Sequence, residues 1–164
     1  LSIATVGVAM GEAAVLETIA YAKQREAFKQ PILDFQNTKF VLAECKADVL
    51  AGKTLIDHCV QRYLDGTLDA ATASAAKLWG TDMQCRVVDK CLQIFGGYGY
   101  TMEYPIARMY AAARVQKIYG GTNEIMNLLV QHEYAKELLG RSFKVRDVQQ
   151  DAVAPEHVDE IVYE

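Results

Sequence analysis

Two glycine pairs and one arginine are the residues whose types and spacing invite chemistry. Gly96-Gly97 follows Gln93-Ile94-Phe95 at the end of one helical pattern, and Gly120-Gly121 lies between Tyr119 and Thr122 at the start of another. A helix start preceded by small residues presents free backbone N–H groups to an anion or a carbonyl oxygen. Arg25 stands near Phe28 at the end of the first apolar stretch, as a guanidinium would to meet a phosphate. The plainer reading makes the glycines helix caps and turns, and lets Arg25 complement a helix dipole. Spacing alone leaves both open and favours the plainer one.

Other chemistries are harder to place. None of His58, His132 or His157 has a glutamate three residues before it, so the Glu-x-x-His pairs of di-metal bundles are missing, and no metal is expected. No GxSxG, P-loop, HExxH or EF-hand pattern occurs. Gly96-Gly97-Tyr98-Gly99 follows a helix rather than a strand, which is the wrong setting for a Rossmann dinucleotide fingerprint. The four cysteines (Cys45, Cys59, Cys85, Cys91) show neither metal-ligand nor CxxC spacing. In helix-like apolar settings they read as reduced, buried thiols of an intracellular protein.

The elements that must position these residues are helical. With 164 residues, 51% hydrophobic and 23% charged, the chain has the balance of a globular domain rather than a disordered one. Its net charge of −4 speaks against a general nucleic-acid binder. Charge interrupts the apolar stretches, so no membrane insertion is expected. The chain opens on Leu1-Ser2-Ile3 and runs straight into helical pattern, as a piece of a longer protein would.

Ile3 to Phe28 reads as one helix, apolar over much of its circumference, and ended by Lys29-Gln30-Pro31. Gly7 and Gly11, one turn apart, invite close approach of another backbone. A second helix is expected from Asp34, as N-cap, to about Arg62; a third from Asp69 to about Phe95. A shorter one starts at Pro105 and reaches about Gln116, and a last one is capped by Thr122 and runs to about Leu139. The pattern predicts an all-α antiparallel helical bundle over residues 1–140 and a peripheral C-terminal tail over 141–164.

Tyr21-Ala22-Lys23-Gln24-Arg25-Glu26-Ala27-Phe28, Pro31-Ile32 and Phe35-Gln36 resemble the signature of the acyl-CoA dehydrogenase family. So do Gln93-Ile94-Phe95-Gly96-Gly97-Tyr98-Gly99-Tyr100, Glu103-Tyr104-Pro105 and Ile118-Tyr119-Gly120-Gly121-Thr122-Asn123-Glu124-Ile125. They occur in family order, and the resemblance implies the C-terminal helical domain of an FAD-dependent enzyme that dehydrogenates an acyl-CoA thioester. Arg25 and Phe28, with Gln36 nearby, match positions that contact the FAD of a neighbouring subunit. Gln93, Gly96 and Gly97 match the loop against that cofactor's adenosine-diphosphate portion. Thr122 and Glu124 match contacts to the subunit's own FAD, and Tyr119 and Gly121 fall on the substrate side. Self-association as a dimer or tetramer is implied, with the Gly7/Gly11 surface and the third helix as candidate contacts. An electron-transfer flavoprotein is implied as redox partner, with a cytoplasmic setting in a bacterium or the mitochondrial matrix in a eukaryote.

Several residues depart from the family pattern. Lys29 replaces the usual glycine after Phe28, and Ala111-Ala112 replaces a frequent Arg-Asp. Gly120 stands where many members carry the glutamate that removes the α-proton. Long-chain and isovaleryl types share a small residue there and take the base from the first helix, at a position just ahead of Leu1. Glu12 and Glu17 are the alternatives within the chain. What remains for Gly120 is its backbone N–H, donating to the thioester carbonyl. The rivals are an acyl-CoA oxidase-like or nitroalkane-oxidising relative, and a non-enzymatic oligomerisation module.

Overall fold

Helix α1 (Ser2–Gln24) carries its small residues on one stripe, and that stripe decides the packing. Ala4, Gly7, Val8, Gly11, Ala14 and Val15 recur at three- and four-residue spacing and are buried against α2 (Gln36–Leu64) and α3 (Ala70–Phe95). A Cβ on Gly7 would sit 3.1 Å from the Gly80 carbonyl oxygen, and one on Gly80 would sit 3.3 Å from that of Ala4. The two helices therefore meet backbone to backbone. The computed structural model describes residues 1–140. The 141–164 tail expected from the sequence lies outside them.

Two expectations for α1 are corrected here. The Gly7/Gly11 face is filled from within the chain, by Gly80, Met83 and Val49, so it is no self-association surface. The large apolar residues left exposed on α1 are Val6 and Leu16. Charge also does not interrupt α1 enough: it is long and apolar enough to cross a membrane by length and composition, with a mean hydropathy of 1.5 over its best window. Isolated glutamates dilute an apolar helix only slightly, and here its small-residue stripe packs on α2 and α3.

α1 also ends earlier than the proline implies. Arg25 is already extended (φ −77°, ψ 121°), and the Ile32 N–H donates to the Arg25 carbonyl at 2.8 Å. Strands β1 (Glu26–Ala27) and β2 (Gln30–Pro31) pair antiparallel around Phe28 and Lys29. Both turn residues are left-handed, at φ 54° and 67°, the backbone of a tight primed hairpin turn. Asp34 is not the cap of α2. It closes a 3-10 turn (Ile32–Asp34) and pairs with Lys39 at 3.7 Å, while extended Phe35 occupies the cap position without a side-chain bond.

Asp69 does cap α3: its carboxylate accepts from the Thr72 N–H and hydroxyl, both at 2.7 Å. Gly96, at φ 59°, stops α3, and a 3-10 turn (Gly96–Tyr100) follows. Helix α4 (Pro105–Ala113) begins with proline in its first turn and passes into a 3-10 turn, Arg114–Lys117. Val49, Met83, Val87, Val88, Phe95 and Ile106 form the centre of the core. Burying an aliphatic side chain of that class contributes about 1.5–3 kcal/mol relative to exposure.

Helix α5 (Asn123–Gly140) begins after Thr122, whose hydroxyl accepts from the Ile125 N–H at 3.4 Å. Residues Leu1–Val130 form one unit, and Gln131 opens a second. Within that second unit Lys136 and Glu133 pair at 2.8 Å. Apart from the short hairpin, the regular elements of the described residues are all helices, as the all-α reading requires. All four cysteines are free, but Cys85 is only half-buried, so the expectation of four buried thiols holds for three.

Candidate functional site

The sequence-expected residues fall at the two ends of α1. Arg25 follows its last turn and Ile3 lies in its first, roughly 30 Å apart at 1.5 Å per residue. They define two separate sites.

At the C-terminal end, an aromatic cluster pins the end of α3 onto α1. Tyr21 stacks on Phe95 with ring centroids 4.0 Å apart, and Tyr104 meets both edge-on. The Tyr21 hydroxyl donates to the Phe95 carbonyl at 3.3 Å. Burial pushes its pKa up, which keeps it a proton donor in that bond. The Arg25 guanidinium lies over the Tyr98 ring, 5.4 Å from its centroid. Among the described residues no carboxylate forms an ion pair with it.

A cleft of about 450 Å³ opens here, walled by Tyr21, Arg25, Phe95, Gly96, Gly97 and Tyr98. A Cβ on Gly96 or Gly97 would meet nothing within 4 Å, so these glycines leave one wall open for close approach. A second groove of about 710 Å³ shares Ile32 and Ile94 with the first and is lined by Phe28, Phe35, Lys90 and Gln93. The structure thus brings Arg25, Gly96 and Gly97 together and sets Phe28 and Gln93 beside them. Gln36, the exposed first residue of α2, lines neither cavity.

At the N-terminal end of α1, Gly120 (φ 61°) and Gly121 (φ 92°) form the turn ahead of α5. A Cβ at Gly120 would fall onto Ile3 Cδ1, and one at Gly121 would lie 2.6 Å from Met126 Cε. A side chain at Gly120 is thus opposed by the left-handed backbone, and the movable tip of Ile3 would have to shift to admit it. Tyr119 is exposed beside the turn. The backbone N–H of Glu124 itself, then the Thr122 hydroxyl, hold the Glu124 carboxyl below its usual range. Glu12 lies farther along α1 and is engaged by Lys53 at 3.1 Å and Lys46 at 3.8 Å.

Sequence reasoning missed the support beneath this turn. Lys77 of α3 is only 4% exposed, and its ammonium donates to the Gly121 carbonyl at 2.7 Å and to Asn123 Oδ1 at 2.8 Å. Burial pulls its pKa down, opposed by the negative charges of Asp82 and Glu124. The signal was present in the spacing: Ser74, Lys77, Thr81 and Gln84 recur at helical intervals on one buried stripe.

The family model for the C-terminal domain of acyl-CoA dehydrogenases matches residues 1–135. The chain belongs to the acyl-CoA dehydrogenase family. It is 44% identical over 133 residues to the mitochondrial long-chain specific acyl-CoA dehydrogenase of Sus scrofa, covering 81% of this chain and 31% of that protein. The crystal structure of an acyl-CoA dehydrogenase from Geobacillus kaustophilus superposes with a TM-score of 0.79 at 36% identity, over 80% of this chain and 35% of that one. A glutaryl-CoA dehydrogenase from Mycobacterium smegmatis in complex with FADH2 gives 0.77 at 25% identity, over 85% of this chain and 35% of that one. This acyl-CoA dehydrogenase domain thus spans about a third of the length of the relatives it matches.

Proposed function

We propose that this chain is the C-terminal domain of an FAD-dependent acyl-CoA dehydrogenase, which forms an α,β double bond in an acyl-CoA thioester, and that the domain is inactive alone. The observation that carries the reading is the seat of Gly120 against Ile3. It sets the glycine turn beside the start of α1, so a carboxylate at the position just ahead of Leu1 would lie at the same end of the helix as the Gly120 N–H. Glu12, held by two lysines, is a poor base by comparison.

The cleft beside Arg25 suits the pyrophosphate of a dinucleotide, because it offers a guanidinium with no ion-pair partner among the described residues and a glycine wall that admits close approach. Arg25, Gly96 and Gly97, with Phe28 and Gln93, would hold the FAD of a neighbouring subunit. Thr122 and Glu124 would face the subunit's own FAD, roughly the length of α1 away. When bound, FAD supplies the oxidant that takes up the β-hydrogen with its electron pair.

The chain's own catalytic contribution is the Gly120 N–H. Donated to the thioester carbonyl, it stabilises the negative charge that grows there as the α-proton leaves. A backbone donor does this without a side chain, so the role survives the loss of the family's usual glutamate. Tyr119 and Gly121 would flank the acyl group. Reduced flavin would pass its electrons to an electron-transfer flavoprotein, and the enzyme would assemble as a dimer or tetramer.

The test is anaerobic titration of the full-length flavoprotein with acyl-CoA thioesters. Bleaching of the oxidised flavin with formation of the enoyl product is expected, and slow reoxidation by air. Absence of bleaching across short, long and branched acyl chains refutes the reading. Rapid reoxidation by oxygen would point to the oxidase-like relative.

A further inference from the structure

The Gly120–Gly121 turn must hold one backbone N–H still, yet it is built from two residues with the least conformational restraint. Its entry is fixed by Tyr119 N–H donating to the Val115 carbonyl at 3.1 Å, and its exit by Met126 N–H donating to Thr122 at 3.0 Å. Between these bonds lie two left-handed glycines. Among the described residues, the side chain that bonds to the backbone of either glycine is Lys77.

An ammonium is an expensive way to make that bond. Taking it out of water is costly, and both its acceptors, the Gly121 carbonyl and the Asn123 amide oxygen, are uncharged. A methionine would fill the same volume without that cost. What it would lack is a pair of charge-assisted donors. The network extends further: the Asn123 amide donates to Thr81 Oγ1 and Asp82 Oδ1, both at 3.1 Å, and Asp82 pairs with Lys117 on the near side of the turn. Residues before and after the glycines are thereby tied to two successive turns of α3.

We propose that Lys77 is a positioning residue for the dehydrogenation: its hydrogen bonds to Gly121 and Asn123 fix the Gly120–Gly121 turn so that the Gly120 N–H stays directed at the thioester carbonyl. The proposal rests on the acyl-CoA reading of that turn and adds the residue that makes it rigid. Lys77 touches neither substrate nor flavin. Its effect is confined to the step in which charge develops on the thioester oxygen.

The experiment uses the full-length flavoenzyme with Lys77→Met, read in three ways: kcat against KM, exchange of acyl α-protons with deuterated solvent, and FAD per subunit. Loss of positioning lowers kcat and α-proton exchange together by ten- to a hundredfold, with KM within threefold and FAD content unchanged. Asn123→Ala, which leaves the Lys77–Gly121 bond in place, gives a smaller loss of the same kind. A purely structural lysine gives the opposite result, with lower thermal stability or FAD content but an unchanged exchange rate per flavin-bound subunit. That result overturns the proposal. If Lys77→Met yields no folded flavoprotein, Asn123→Ala decides, and unchanged exchange there overturns it equally. An unmodified enzyme that neither exchanges nor oxidises any acyl-CoA would instead remove the acyl-CoA reading, and the proposal with it.

Discussion

Replacing Arg25 with alanine separates a cofactor ligand from a helix cap. Arg25 terminates α1, donates its N–H to the Tyr21 carbonyl at 2.9 Å, and lays its guanidinium over the Tyr98 ring at 5.4 Å. A cation at a helix C-terminus contributes about 0.3–1 kcal/mol and an exposed cation–π contact about 0.5–1 kcal/mol. Locally, then, the side chain stabilises the chain by about 1–2 kcal/mol, or roughly 2–8 °C in Tm for a chain of this size. A charge-assisted bond to a pyrophosphate contributes about 1.5–3 kcal/mol on top, and only when FAD is bound. Arg25→Ala should weaken FAD retention roughly ten- to a hundredfold at 1.4 kcal/mol per decade. Arg25→Lys keeps the charge but loses the planar fork, so it should recover the stability and only part of the retention. The assay is fluorescence titration of the full-length apoprotein with FAD, beside thermal unfolding of both variants without cofactor. An alanine variant that binds FAD as tightly as the parent would falsify the cofactor role and leave Arg25 as a cap.

Four further substitutions test the fold that carries the site. Gly7→Ala and Gly11→Ala gain the same helix propensity, about 1 kcal/mol, but meet different neighbours. At Gly7 the new Cβ sits 3.1 Å from the Gly80 backbone, which cannot yield cheaply, whereas at Gly11 it sits 3.4 Å from the flexible Met83 thioether. Denaturant unfolding should show Gly11→Ala neutral to stabilising and Gly7→Ala destabilised relative to it by about 1–3 kcal/mol; equal values would contradict the backbone-to-backbone packing. Lys29→Gly relieves a left-handed lysine at φ 67° and should raise stability by about 1 kcal/mol in the same assay, with a loss arguing against the hairpin geometry. The Thr72 hydroxyl and N–H hold the Asp69 carboxyl below its usual value, so its capping is present above the unfolded-state pKa and fades as pH falls through the folded one. Asp69→Ala should therefore cost about 1 kcal/mol near neutral pH and progressively less below about pH 4; a pH-independent loss would deny the ionised cap.

The sequence by itself determined what depends on near neighbours along the chain. The long helical runs, Asp69 as cap, Pro105 in a first turn and the stops at Gly96 and Gly120 all follow from side chains acting within one turn. The family motifs were legible for a related reason: the residues of each lie within a few positions of one another. Tertiary structure alone decided the rest. Phe28 and Lys29 have no local preference for left-handed backbone, and adopt it because a hairpin between Arg25 and Ile32 closes there. Gly7 reads equally well as an outward or an inward surface until Gly80, more than seventy residues later, arrives against it. The spacing of Ser74, Lys77, Thr81 and Gln84 marks a polar stripe on α3, but not what Lys77 holds. Only the arrival of Gly121 and Asn123 over its ammonium turns it into a buried tether. Burial and partner choice belong to pairs of distant residues, and their free energy exists only once the helices have packed.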